Sequence, residues 1–126
     1  MQRELRLRRR EDFGAVHRRG KSWANGVLVI RVLPNGLPNF RAGFSISKRV
    51  GKAVIRNRIK RRLREAIRAL APRSGFDIVV IARGPAAGSD FQRLSSALRT
   101  LLLLARLVEP NPRQRPAARP PDVEDV

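Results

Sequence analysis

The chain has no cysteine, no tyrosine, one histidine and one tryptophan among its 126 residues. Without cysteine it can form neither a disulfide framework nor a thiolate zinc site, and it has no cysteine nucleophile. The lone histidine, His17, excludes a metal site built from several histidines, and any Ser-His-Asp triad would depend on that one residue. So few aromatic residues argue against base stacking on an aromatic-rich sheet as the main way of binding a ligand.

Long apolar segments are missing as well. The wholly apolar run at 101–105 is far shorter than the roughly 20 residues that a membrane-spanning helix needs. The basic N-terminal residues 1–10 are not followed by the apolar stretch that secretory signals contain. We therefore expect a cytoplasmic protein with no membrane partner.

Negative charge is scarce, because 28 Lys and Arg residues stand against 10 Asp and Glu residues and give a formal net charge of +18. Such an imbalance indicates a polyanionic partner, nucleic acid before an anionic membrane surface, and argues against a small-molecule substrate. Arginine outnumbers lysine, 24 to 4. Phosphate recognition by guanidinium groups and a genome rich in arginine codons explain that bias equally well.

Hydrophobic periodicity and turn signals divide the chain into helices and strands. The predicted helices cover 11–19, 53–70 and about 89–108, and the predicted strands cover 27–33, 40–47 and 76–82.

Three features of this pattern predict how the elements are arranged. The turn signals at 34–39 predict that the strands on either side of them form an antiparallel hairpin. The nearly all-apolar strand 76–82 predicts a central strand covered on both faces. Ser89 and Gln92 have the spacing of a capping box at the start of the last helix.

The order of elements predicts an α+β fold, an α/β sandwich with helices covering a small sheet, within one domain over residues 1–109. Five prolines fall within 110–126, which has no apolar periodicity. We predict that this segment is a disordered tail.

Basic residues are concentrated in the segment 48–68, which has ten of them and a single acid, Glu65. On the predicted helix, Arg56, Lys60 and Arg64 align at i, i+4 and i+8. Like charges at this spacing destabilise an isolated helix by about 0.2–0.5 kcal/mol per pair, so an ordinary solvated helix surface would alternate in sign. The pattern favours a helix that faces polyphosphate, and residues 1–21 form a second, smaller concentration of positive charge.

Candidate catalytic groups are scattered. The carboxylates fall on different predicted elements, so they do not predict a two-metal nuclease site carried by the protein. We expect His17 to pack and to form hydrogen bonds, because no neighbour in the sequence could act with it. Asn57 could contact a nucleic-acid backbone, a base edge or a metal-bound water, or it could bond locally.

The residues by themselves therefore indicate a polyanion-binding protein with no catalytic set of its own. A ribosomal or RNA-chaperone protein and an architectural DNA-binding protein both remain compatible with this composition. Binding to a membrane surface fits less well, because the basic helix lacks a bulky aromatic face for insertion.

The segment 44–65, Phe-Ser-Ile-Ser-Lys-Arg-Val-Gly-Lys-Ala-Val-Ile-Arg-Asn-Arg-Ile-Lys-Arg-Arg-Leu-Arg-Glu, closely resembles the signature of the bacterial ribonuclease P protein family. Its hallmark is the Arg-Asn-Arg triplet at 56–58, preceded by a Ser-Lys-Lys/Arg-x-Gly segment. Residues 6–13, residues 76–83 and the final leucine-rich helix match in the same order, so that the resemblance covers about residues 3–108. It implies a mixed sheet of about four strands, three helices and a left-handed βαβ crossover.

The resemblance also implies a function, the removal of the 5′ leader from precursor tRNA by an endoribonuclease made of RNA and protein. The ribonuclease P RNA would carry out the Mg²⁺-dependent hydrolysis, with Mg²⁺ held by the RNA and the substrate. The protein would then need no catalytic and no metal-binding residue. It would bind the catalytic RNA and the single-stranded leader.

The resemblance implies two sets of binding residues, one for the RNA subunit and one for the leader. The RNA subunit would contact the Arg-Asn-Arg helix through Arg56, Asn57, Arg58, Lys60, Arg61, Arg62 and Arg64. The leader would contact Phe13, His17, Lys48, Arg49, Lys52 and Arg83. The family usually has a second phenylalanine where this chain has His17, and an imidazole can also stack on a base.

Overall fold

Three α-helices and a four-stranded sheet form the part of the chain that the computed structural model describes, residues 3–110. The helices are α1 (Arg10–Arg19), α2 (Ala53–Leu70) and α3 (Phe91–Leu104). The strands are β1 (Lys21–Ala24), β2 (Leu28–Pro34), β3 (Arg41–Ser45) and β4 (Phe76–Ala82). The predicted α+β class is confirmed. Apart from Pro110, the predicted disordered tail lies outside the described residues.

The strands are ordered β1-β2-β4-β3 across the sheet. β2 pairs antiparallel with β1 and with β4, and β3 pairs parallel with β4. The predicted hairpin between β2 and β3 is therefore wrong, because β4 lies between them. The physical reason is the composition of β4, which is apolar on both of its faces. Such a strand suits the middle of the sheet, where both faces are covered.

Helix α2 connects the parallel strands β3 and β4, which gives the βαβ unit that the resemblance implies. Its handedness stays a prediction. The short strand β1 had no counterpart in the sequence-based assignment, because its four residues, three of them exposed, show no apolar alternation.

The main core lies between one face of the sheet and the helices α2 and α3. Alternate residues of the central strands, such as Ile30, Ile78 and Val80, point into it and are fully buried. The two helices contribute residues spaced by three or four positions, namely Ile59, Leu63, Ala66 and Ile67 from α2 and Leu94, Leu98, Leu101 and Leu102 from α3. This periodicity is the reason that the bounds of α2 match the prediction.

Both ends of α3 differ from the prediction. The Asp90 carboxylate, not the Ser89 hydroxyl, caps the helix, by accepting a hydrogen bond from the Arg93 N–H at 2.9 Å. The Ser89 hydroxyl instead donates to the Pro85 carbonyl. The helix ends at Leu104, before the predicted end near Val108, because Arg106 takes a positive φ of 61° that turns the chain.

Helix α1 covers part of the opposite face of the sheet, over a smaller core of Leu7, Val16 and Val79. The guanidinium of Arg31 on β2 donates to three carbonyl groups at the C-terminal end of this helix, those of Val16, His17 and Gly20. A cation at this end is favourable because the last carbonyls of a helix carry partial negative charge. Arg31 thus holds α1 against the sheet.

A second polar network joins α1 to the strands β3 and β4 on the same face of the sheet. The Arg41 guanidinium on β3 makes two hydrogen bonds to the buried carboxylate of Asp77 on β4, at 2.8 and 2.6 Å. It also contacts the Asp12 carboxylate on α1 at 3.5 Å. The hydrogen bond to Asp77 raises the pKa of Arg41 above its ordinary value, against the opposing effect of burial. Asp77 therefore has a structural role.

Candidate nucleic-acid interface

The seven residues predicted to contact the RNA subunit do not all lie on one side of α2. Asn57, Arg58 and Arg61 are exposed on the outer side of the helix. Lys60 and Arg64 are partly buried and face the N-terminal segment and β3. The outer side is therefore the part of α2 that a large RNA could reach without any rearrangement.

Two arginines of this set also hold the protein together. The Arg62 guanidinium donates to the Ser89 carbonyl at 3.0 Å, and the Arg56 Nε donates to the Gly51 carbonyl at 3.1 Å. Both side chains are only partly exposed. Each still has N–H groups free for a phosphate, because a guanidinium carries five donors.

The outer edge of β3 forms a basic cleft together with the N-terminal segment and α2. The Leu7 N–H donates to the Ala42 carbonyl at 2.9 Å, which holds the N-terminal segment along this edge. We call the cleft beside it, about 180 Å³ in volume, the edge pocket. Its walls include Arg6, Arg8, Phe13, Phe44, Lys60 and Arg64.

Arg6 and Arg8 were absent from the predicted site. Leu5 and Leu7 point inward while Arg6 and Arg8 are exposed, which is the alternation of a strand. That alternation was the available signal in the sequence, within the basic N-terminal residues 1–10.

Phe13 lies on the side of the sheet that α1 covers, where its ring packs directly over Gly43 of β3. A Cβ atom at Gly43 would lie 2.7 Å from Phe13 Cε1, closer than side-chain atoms approach one another. Glycine at this position therefore sets where the ring sits. His17, one helical turn later on α1, is exposed, and its carbonyl accepts the hydrogen bond from Arg31.

Beyond α1 the same face of the sheet stays open. Val29, Ile81 and Ser45 are paired in register across β2, β4 and β3, and all three are only partly buried. Because their side chains lie side by side, they form a narrow strip, which we call the open strip. A strip of small apolar and hydroxyl side chains is a surface on which an extended chain can lie.

Basic residues border one end of this strip. β3 and β4 are parallel, so Lys48 and Arg49, which follow β3, lie at the same end of the sheet as Arg83, which follows β4. The Arg83 guanidinium donates to the Asn25 carbonyl at 3.0 Å and remains exposed. Lys52, at the start of α2, is exposed as well. The structure thus brings the predicted basic residues together at this end of the sheet.

Catalytic groups do not assemble in the same way. Among residues 3–110, no group of three or more His, Asp or Glu side chains could hold a metal ion. Within that part of the chain, no helix is long and apolar enough to cross a membrane. The described surface offers positive charge and open backbone edges.

Sequence comparisons identify the family to which this arrangement belongs. The model of the ribonuclease P family matches residues 1–106. The chain is 42% identical over 106 residues to the ribonuclease P protein component of Caldanaerobacter subterraneus, covering 82% of this chain and 91% of the relative. It is 44% identical over 112 residues to that of Roseiflexus castenholzii, covering 86% and 92% of the two chains.

Solved structures agree with the sequence relatives. The ribonuclease P protein of Staphylococcus aureus superposes with a TM-score of 0.77 at 34% identity, covering 83% of this chain and 98% of that one. The protein from Thermotoga maritima gives a TM-score of 0.72 at 37% identity, covering 77% and 94%. With a family model over most of its length, relatives above 40% identity and the same fold, the chain belongs to the ribonuclease P protein family, the protein component of a tRNA-processing endoribonuclease.

Proposed function

We propose that this protein binds the catalytic RNA of ribonuclease P and the single-stranded 5′ leader of precursor tRNA, and that it does so in the cytoplasm. The observation that carries the proposal is the separation of two basic surfaces on one small domain. One is the outer side of α2, and the other surrounds the open strip. Two surfaces of this kind suit a protein that contacts a large RNA and a substrate strand at the same time.

The RNA subunit fits the outer side of α2. Arg58 and Arg61 project from it beside Asn57, so guanidinium groups can pair with phosphates while the amide can reach a base edge, a phosphate or a hydrated metal ion. Contacts to phosphates fix the position of an RNA without reading its sequence. This suits a subunit whose task is to hold one folded RNA in place.

The leader fits the open strip. An unpaired strand exposes its bases, which can stack on Phe13 and on the imidazole of His17 at the edge of α1. Its phosphates would lie near Lys48, Arg49, Lys52 and Arg83, the basic residues that border the strip. Binding of this kind adds affinity for the precursor and none for mature tRNA, which has no leader.

Hydrolysis of the phosphodiester bond would be the work of the RNA subunit, with Mg²⁺ held by the RNA and the substrate. The protein would supply positive charge close to converging RNA backbones, where phosphate repulsion otherwise has to be screened by Mg²⁺. We therefore expect the protein to lower the Mg²⁺ concentration that cleavage requires.

An assay with 5′-labelled precursor tRNA tests the proposal. We expect no cleavage by the full-length protein freed of RNA, weak cleavage by the cognate RNA alone at low Mg²⁺, and efficient cleavage when both are present. Mature tRNA serves as the control, since the protein should not raise the affinity of the complex for it. Cleavage by the RNA-free protein would contradict the proposal, and so would an RNA whose activity is indifferent to the protein.

A further inference from the structure

The edge pocket combines charge and aromatic surface at the outer edge of β3, and it shares Phe13 with the surface proposed for the leader. Four cationic side chains line it, Arg6 and Arg8 from the N-terminal segment and Lys60 and Arg64 from α2. No acidic residue is among its lining residues. Such a pocket has a strongly positive potential and attracts an anionic group.

Two aromatic rings form the inner walls of the pocket. Phe13 reaches it from the side of the sheet covered by α1, while Phe44 packs beside the main core on the side of α2. Both rings are only partly buried. A planar group that enters the pocket therefore meets aromatic carbon, on which nucleobases stack favourably.

The backbone of β3 also has free hydrogen-bonding groups at this point. The Ala42 carbonyl faces the outer edge of the strand, where it accepts from the Leu7 N–H. Phe44 lies two residues further along, so its N–H and C=O face the same edge. The N-terminal segment has already turned away to begin α1 at Arg10, and no other residue of the part described forms a hydrogen bond with these two groups.

We propose that the edge pocket binds one unpaired nucleotide, with the base between Phe13 and Phe44, its edge hydrogen-bonded to the Phe44 backbone and its phosphate held by the four cations. The inference rests on the proposed function in that the partner is an RNA, and it adds a site for a base turned out of that RNA. A paired base cannot enter, because its hydrogen-bonding edge and both of its faces are occupied within a duplex. The four cations favour a nucleotide over an extended peptide at the same backbone edge.

The first test is a titration of the isotope-labelled full-length protein with nucleoside 5′-monophosphates, followed by NMR. We expect the Phe44 amide and the Phe13 ring signals to shift with the nucleotides and not with inorganic phosphate or ribose 5-phosphate. Equal shifts with inorganic phosphate alone would show that the pocket binds anions without recognising a base. Stronger shifts with an acidic peptide would assign it to a protein partner. Either result would overturn the proposal.

Variants of two lining residues, the exposed Arg8 and the partly buried Lys60, test the role of the cations. Arg8→Gln and Lys60→Gln should each weaken nucleotide binding by about three- to tenfold, because each removes one charge-assisted contact. Arg68→Gln is the matched control, since it removes the same charge from an exposed position of α2 that does not line the pocket. It should change the affinity by less than about twofold, and an equal effect of all three variants would show that only overall charge matters.

Competition distinguishes the source of the nucleotide. If the catalytic RNA displaces a bound mononucleotide, the pocket holds a base of that RNA. If a single-stranded leader oligonucleotide displaces it, the pocket holds a base of the leader. If both RNAs bind the protein and neither displaces the mononucleotide, the inference is wrong while the proposed function stands. If neither RNA binds, the proposed function fails, and the mononucleotide titration still reports on the pocket.

Discussion

At the scale of single residues, Gly43 is the position where one methyl group should matter most. An alanine Cβ would collide with the Phe13 ring, so the Gly43→Ala variant must move the ring or the strand. We expect a loss of about 1–3 kcal/mol in the free energy of unfolding, as for other overpacked sites, and a several-fold loss of leader affinity. Chemical denaturation and leader-binding titrations measure the two effects.

Gly26→Ala is the matched control, since a Cβ there meets no atom within 4 Å. A double-mutant cycle with Phe13→Ala separates the ring contact from other causes. In the Phe13→Ala background, Gly43→Ala should be much less destabilising. If the destabilisation is unchanged in that background, Phe13 is not what requires glycine at this position.

The Arg41–Asp77 pair shows how much about single residues can be predicted from the sequence. Asp77 is the one acidic residue of an otherwise apolar strand, and its buried carboxylate pairs with Arg41. Its partner could not be predicted, because 24 arginines compete for that role and the choice depends on the strand register. Arg6 and Arg8 stayed outside the predicted site for a related reason, since their position depends on how the N-terminal segment lies against β3.

At the scale of elements, the bounds of α2 could be predicted from the sequence, whereas the contacts made by its basic side chains could be predicted only in part. Its apolar stripe and its flanking turn signals defined the helix correctly at 53–70. The pattern also aligned Arg56, Lys60 and Arg64 on one side of the helix. It could not show that Arg62 meets the Ser89 carbonyl, because that contact depends on where the segment before α3 packs.

This difference predicts distinct effects for two neighbouring arginines. Arg61→Gln should lower the affinity for the RNA subunit by about three- to tenfold and reduce the salt dependence by about one unit of slope, with unchanged stability. Arg62→Gln should in addition reduce the free energy of unfolding by about 1 kcal/mol, because the Ser89 carbonyl loses its donor. RNA binding at several salt concentrations and urea denaturation measure the two effects. Equal stability of the two variants would show that the hydrogen bond from Arg62 is of no consequence.

The failed hairpin prediction belongs to the same scale. Turn signals at 34–39 report that the chain reverses direction locally, and they do not report which strand fills the neighbouring position in the sheet. β4 takes that position and pairs with both β2 and β3, while its apolar side chains are buried in the cores on the two faces of the sheet. The family resemblance implied the βαβ unit, and local sequence alone favoured the simpler connection.

At the scale of the whole molecule, the net charge of +18 is distributed over separate surfaces. The outer side of α2, the edge pocket and the basic end of the open strip lie on different parts of the domain, each with exposed arginine or lysine. This arrangement lets a small domain neutralise phosphates from more than one strand. The composition predicted that the partner is a polyanion. Only the fold shows how the basic residues are distributed over separate surfaces.

The last prediction concerns this division of charge. If the complex with the RNA subunit neutralises about seven phosphates, the logarithm of the association constant should fall with the logarithm of the salt concentration with a slope of about −5 to −6. Titrations of the full-length protein across a range of monovalent salt concentrations give the slope. A slope near −1 would mean that most of the excess charge stays away from the RNA. In that case shape and hydrogen bonding, rather than counterion release, would have to supply the affinity.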